Sequence, residues 1–130
     1  MSTPKYLLDA NVLIALTHSN HIHHLTAKRW IAGKGTLICP VVEGALIRFL
    51  LRLGETPATV AAMLKVIHAR NDWIPDDISY ADIDLTETFG HRQVTDTYLL
   101  ELARHHDVIL ATFDEPLSKR GGNAVELIPI

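Results

Sequence analysis

Cysteine is almost absent: Cys39 stands alone among 130 residues, so no disulfide can form within the chain. Its setting, Leu37-Ile38-Cys39, marks it as a small core residue and gives no sign of an oxidising compartment. No uninterrupted apolar segment is long enough to cross a bilayer. The apolar stretch near the amino terminus is broken by Asp9 and Asn11, which does not suit a signal peptide. A cytoplasmic protein without membrane contact is therefore expected. Pro/Gly/Ser-rich linkers, repeats and low-complexity tracts are also missing, and the length suits one domain over residues 1–130. An excess of positive charge is lacking too. The formal net charge of -3 argues mildly against a nucleic-acid partner, unless several of the acids are held by metal.

What is present is apolar sequence, 48% of the chain, arranged in alternating strand-like and helix-like stretches. Tyr6-Leu7-Leu8 is a short run without polar alternation, as expected for a strand covered on both faces, and it ends in Asp9. A short helix over 12–17 and a second over about 23–32 should follow, with a polar break at 18–21 between them. Thr36 to Cys39 reads as a strand. Pro40 suits the first turn of a helix over 41–53 that closes at Gly54. Thr56-Pro57 restarts a helix that ends near Asn71; Trp73-Ile74-Pro75 is a short strand, and 76–80 a loop. A helix over about 95–106 precedes a strand over 108–113 that ends in Asp114. Pro116 to Gly122 reads as a turn or helical stub, and 125–128 as a last strand. This alternation predicts an α/β sandwich with a mainly parallel central sheet flanked by helices.

Four acids do not fit a purely structural reading. Glu43 shares its helix face with Leu46, Ile47 and Leu50, which places a carboxylate on an apolar face with no intrahelical partner. Asp96 shares a face with Leu99, Leu100 and Ala103, although an acid in a first turn also suits the helix dipole. Asp9 and Asp114 each follow a strand, where an acid also serves as a helix cap. The carboxyl ends of parallel strands are where ligands bind in open α/β sheets. Two carboxylates ~5 Å apart repel by on the order of 3 kcal/mol at an effective dielectric of 20, so a convergent set needs a cation. All-oxygen donors suit Mg2+ or Mn2+ better than zinc. Asn11 and Thr112 are placed to support the acids or to satisfy backbone groups. Asp82 and Asp84 lie in a polar segment and read as solvated, as do the loop histidines His18, His21, His23 and His24, whose spacing does not suit structural zinc.

The ordered set Leu8-Asp9-Ala10-Asn11, Glu43, Gly90 to Leu100 with Asp96, and Ala111-Thr112-Phe113-Asp114 resembles the PIN-domain nucleases, and within them the VapC-type ribonuclease toxins of toxin-antitoxin pairs. The resemblance covers nearly the whole chain. It implies a PIN-like three-layer sandwich and metal-dependent endoribonuclease activity. It also implies that Asp9, Glu43, Asp96 and Asp114 form the catalytic, metal-binding cluster, with Asn11 and Thr112 supporting it. Glu115 is a further acid near the last one, with no role assigned. A cognate antitoxin, an RNA substrate and a homodimer are implied as partners. Trp30, Phe49, Leu50 and Leu53 are candidates for an antitoxin groove, and Arg29, Lys34, Arg48, Arg52, Arg92 and Arg120 for RNA phosphate contacts.

Two other readings share parts of this pattern. An aspartyl phosphotransferase also places Asp after its first strand but needs a second Asp two positions on, where this chain has Asn11. A non-catalytic binding module could keep the fold and use the acids for a basic partner.

Overall fold

The computed structural model describes residues 3–130. Five strands, β1 (Lys5–Leu8), β2 (Gly35–Ile38), β3 (Asp72–Trp73), β4 (Ile109–Thr112) and β5 (Val125–Leu127), form one sheet in the order β3-β2-β1-β4-β5. Every pairing is parallel, with Leu7 opposite Leu37 on one side and Leu110 on the other. Six helices connect the strands: α1 (Ala10–Thr17), α2 (His24–Ile31), α3 (Pro40–Arg52), α4 (Pro57–Arg70), α5 (Val94–His105) and α6 (Glu115–Gly121). Helices α1 to α4 pack on one another, whereas α5 packs on β4 and α6 on β5.

Successive residues of a strand face opposite sides of the sheet, and in the central strands both are buried: Leu7 with Leu8, Leu37 with Ile38, Leu110 with Ala111. The sheet is therefore covered on both faces, which is why its strands read as continuous apolar runs. Burial also pushes the Cys39 thiol up to about 12 and keeps it inert in the core.

The helix boundaries follow local chemistry. Thr56 accepts a hydrogen bond from the Thr59 amide at 3.1 Å ahead of Pro57, and Pro40 opens α3 directly after β2. The stub expected at 116–122 is the seven-residue helix α6, and the strands expected at 73–75 and 108–113 are shorter than their apolar runs. The last residues of those runs turn out of the sheet to carry acids.

Strand order decides where a site can form. From β1 the chain builds outward through β2 and β3, then returns to the other side of β1 with β4 and β5. The connections on the two sides leave in opposite directions, so a crevice opens at the carboxyl ends of β1 and β4. The Asp9 amide donates to the Ala111 carbonyl at 2.9 Å, tying the residue after β1 to the end of β4.

Candidate metal centre and active site

Asp9, Asp96 and Asp114 meet at this crevice. Asp9 is 5% exposed and caps α1, accepting from the Ala10 amide at 2.7 Å. Its other oxygen accepts from the Thr112 hydroxyl at 2.7 Å. Asp114 caps α6, accepting from the Leu117 amide at 3.1 Å, while its own amide donates to Thr112 Oγ1 at 3.0 Å. The capping and the clustering readings of these two acids therefore hold together: the helix starts orient the carboxylates. Thr112, fully buried, binds both neighbours at once. Asn11 sits one step back. Its Nδ2 donates to Thr112 Oγ1 at 3.3 Å and its Oδ1 accepts from the Phe113 amide at 3.4 Å, so it supports Thr112 and hydrogen-bonds to no carboxylate among the described residues.

Asp96 comes from the first turn of α5 and is half-buried. Among the described residues no hydrogen bond ends on its carboxylate. Burial, then the charges of Asp9 and Asp114, push its carboxyl up to about 6, and only Arg120 pulls the other way. Asp9 is also raised, by burial first, with the Thr112 and Ala10 hydrogen bonds opposing and Asp114 adding to the rise. Three acids thus act on one another in a region where water is scarce, which is the electrostatic signature of a functional site.

Glu43 has different company. It lies in the first turn of α3, beyond the end of β2 and on the same sheet edge, with its side chain 17% exposed. Its two oxygens are occupied: Oε1 accepts from Trp73 Nε1 at 3.1 Å, and Oε2 shares a hydrogen bond with His68 Nε2 at 2.9 Å. The charge that Glu43 raises is Asp76, and it is not among the charges acting on Asp9 or Asp96. Asp76 itself follows β3 and leaves Oδ1 buried without a partner among the described residues. The same signal that exposed Asp9 and Asp114, an acid just after a strand, marks this residue too.

Several other expectations change. The four loop histidines are half-buried rather than solvated: His24 Nδ1 lies 2.8 Å from the Ala15 carbonyl, His18 packs edge-on against Phe49, and His23 lies beside Phe113. Trp30 is pinned by Tyr6 and donates to Glu126 at 3.0 Å, and Leu50 is a core residue. A groove of 510 Å3 instead runs between α1, α2 and α4, and shares no residue with the acidic crevice. Of the six candidate phosphate-binding cations, Arg29, Arg48, Arg52 and Arg92 are exposed, Lys34 lies over the Trp30 ring, and Arg120 alone turns toward the acids. Asp82 and Asp84 are exposed as expected. Glu115 opens α6 and pairs with Lys119 at 3.3 Å on the surface.

A family model for the PIN domain matches residues 6–123. The chain belongs to the PIN-domain family, on its VapC branch. This PIN domain is 42% identical over 127 residues to ribonuclease VapC29 of Mycobacterium tuberculosis, covering 95% of this chain and 96% of the relative. Among solved structures it resembles the M. tuberculosis toxin VapC20, described as cleaving the sarcin-ricin loop, with TM-score 0.69, 19% identity and coverage of 93% and 98% of the two chains. It also resembles a chain of a toxin-antitoxin complex from Klebsiella pneumoniae, with TM-score 0.69, 17% identity and coverage of 95% and 98%. At those identities the solved structures speak to the fold.

The donor set of the PIN domain suits a divalent cation: all oxygen, with Asp9 and Asp114 close enough to raise Asp96, and short of positive charge. Among the described residues, the only trio of such side chains with donor atoms within 4.8 Å of one another is Asp77, His105 and His106. There His106 Nε2 and Asp77 Oδ1 already share a hydrogen bond at 2.8 Å. The three acids of the crevice are spread more widely.

Proposed function

We propose that this chain is a metal-dependent endoribonuclease and the toxin of a toxin-antitoxin pair, one domain over residues 1–130, working in the cytoplasm. The observation that carries the reading is the meeting of Asp9, Asp96 and Asp114 at the switch point of the sheet, with Asp96 raised to about 6 by burial and by the other two. Likeness to VapC29, named a ribonuclease, supports the substrate class. Among the described residues no helix is long and apolar enough to cross a membrane.

Asp9, Asp96 and Asp114 would hold Mg2+ or Mn2+, with Glu43 as the fourth acid that the resemblance assigns. When bound, the cation polarises a scissile phosphate and makes a water nucleophilic near neutral pH. The chain's own residues prepare that chemistry. The Ala10 amide and the Thr112 hydroxyl fix both oxygens of Asp9, and Asn11 fixes Thr112. Asp114 is held by the start of α6. Asp96, without a hydrogen-bond donor among the described residues, is the carboxylate best able to exchange a proton for a cation near pH 6. No side chain is needed as a nucleophile. The phosphotransferase alternative loses its second residue, because Asn11 is committed to Thr112 and Phe113.

The groove between α1, α2 and α4 offers an antitoxin its place. Leu16, Ile31, Met63 and Ile67 make an apolar wall, and Lys28 and Arg70 add positive charge, which suits an amphipathic segment bearing acids. The resemblance adds a homodimer. Incubating antitoxin-free protein with a mixed RNA pool, in Mg2+ or Mn2+ against EDTA, tests the activity: metal-dependent cutting that Asp96→Asn abolishes is expected. Cutting that persists in EDTA would refute the metal dependence.

A further inference from the structure

Next to Asp96, a polar cavity of 310 Å3 is enclosed by α5, α6 and the segment 84–88, at the small end of the range for ligand sites. Its wall includes Thr97, the residue after Asp96, and Arg120 of α6. The guanidinium of Arg120 is half-buried and donates to Thr97 Oγ1 at 3.0 Å, and Thr97 Oγ1 lies 2.8 Å from Thr88 Oγ1. Of the other charges in the wall, Glu87 is exposed to solvent, and three are engaged locally. Arg104 pairs with Glu101 at 2.7 Å, and Asp84 accepts from the amide and hydroxyl of Thr86 at 3.0 and 2.7 Å. Arg120 has no carboxylate within ion-pairing distance among the described residues.

Its placement is rigid. The next residue, Gly121, admits no side chain, since a Cβ would lie 2.1 Å from Val125 Cγ2, so α6 ends pressed against β5. Phe89, the residue after the wall residue Thr88, is 82% exposed. The loop that presents this ring is pinned, because the Phe89 amide donates to Gln93 Oε1 at 2.8 Å. An unpaired arginine fork and an exposed aromatic ring on a fixed loop match the two halves of a nucleotide: the fork takes phosphate and the ring stacks a base.

We propose that this cavity is a nucleotide subsite for single-stranded RNA, in which Arg120 binds the phosphate next to the one cleaved and Phe89 stacks on the base. The proposal rests on the ribonuclease reading and adds where the strand lies: across α6 and the 84–89 segment, on the Asp96 side of the crevice. An arginine that served only as a counterion to the acids would affect metal binding and leave RNA binding alone.

The test uses the full chain with Mg2+ and a fluorescent random-sequence RNA pool, measuring cleavage, anisotropy and their salt dependence for wild type, Arg120→Ala, Arg120→Lys and Phe89→Ala. Arg120→Ala should raise KM about tenfold and reduce the salt slope of binding by about 1, with Arg120→Lys restoring the slope but not all of the affinity. Phe89→Ala should weaken binding roughly five- to a hundredfold and leave the salt slope unchanged. Wild-type affinity and slope in folded Arg120→Ala and Phe89→Ala, beside a wild type that cuts RNA, would overturn the subsite alone. A wild type that neither cuts nor binds RNA would overturn the ribonuclease reading and the subsite with it.

Discussion

Two acidic regions share the carboxyl edge of the sheet, and they solve the same electrostatic problem differently. At the end of β2, the Glu43 carboxylate is satisfied by the protein itself, through Trp73 on one oxygen and His68 on the other. At the ends of β1 and β4, Asp9 accepts from two donors and Asp114 from one, Asp96 from none among the described residues, and the charges of Asp9 and Asp114 act on Asp96. A carboxylate supplied with donors is settled without a cation, whereas one left without them, as Asp96 is among the described residues, keeps its affinity for a cation or a proton. Arg120 is the one basic side chain that lowers the proton affinity of Asp96, and it does not cancel three charges.

The sharpest way to break this contrast is Asp96→Asn. Cleavage should fall on the order of a thousandfold, since several kcal/mol of charge stabilisation go with the carboxylate. The metal-free variant should melt at a higher temperature than wild type in EDTA, because a repulsive charge has been removed. A folded variant with full activity would remove Asp96 from the site. Glu43→Gln should cost less, about tenfold, because Glu43 has other partners to satisfy. An equal loss would mean that Glu43 leaves His68 and Trp73 when metal binds, and that the two regions are one site.

Thr112→Val strips the hydroxyl that holds Asp9 and leaves a buried carboxylate oxygen unpaired. Unfolding by denaturant should show a loss of about 1–3 kcal/mol, with activity reduced in parallel. An unchanged midpoint would show that water replaces the hydroxyl.

The acids also set a pH dependence. Asp96 binds its proton more tightly folded than unfolded, so the folded state takes up protons between about pH 4 and about pH 6 that the unfolded chain has lost. In EDTA, stability should therefore fall as pH rises through that window and stay lower above it. Because Asp96 is half-exposed, water screens much of the effect, and on the order of 1 kcal/mol remains. Melting curves at pH 5 and pH 8 check this, and saturating Mg2+ should remove the difference. Smallest of all should be Lys5→Ala, which breaks an exposed pair with Asp72 at 2.8 Å and should change stability by a few tenths of a kcal/mol at most.

Much of the fold is legible before any coordinates, and the reason is local. Apolar runs of strand length, Pro40 and Pro57 at helix starts, Gly54 after α3 and Asp9 and Asp114 as caps act on their own neighbours, so their pattern in the chain is their pattern in space. The burial of both faces of β1 can be read from Tyr6-Leu7-Leu8 for the same reason. The site is legible only in part. Asp9, Asp96 and Asp114 are marked by position, after strands or on an inward helix face, and the structure brings them together. Glu43 carries the strongest such mark, and the structure pairs it with His68 and Trp73, 25 and 30 residues away in sequence. The histidines at 18–24 read as solvated because nothing in their own stretch shows Phe49 and Phe113 packing against them.

The sequence by itself determined the order of strands and helices, the covered parallel sheet and the four acids at its edge, because each follows from periodicity and capping within a few residues. Only the tertiary structure decided that Thr112 binds Asp9, that Asn11 serves Thr112 rather than a carboxylate, and that Arg120 turns toward Asp96. Those contacts join residues 103, 101 and 24 positions apart, and side chains so distant meet only after the strand order has brought β4 beside β1 and laid α5 and α6 along it.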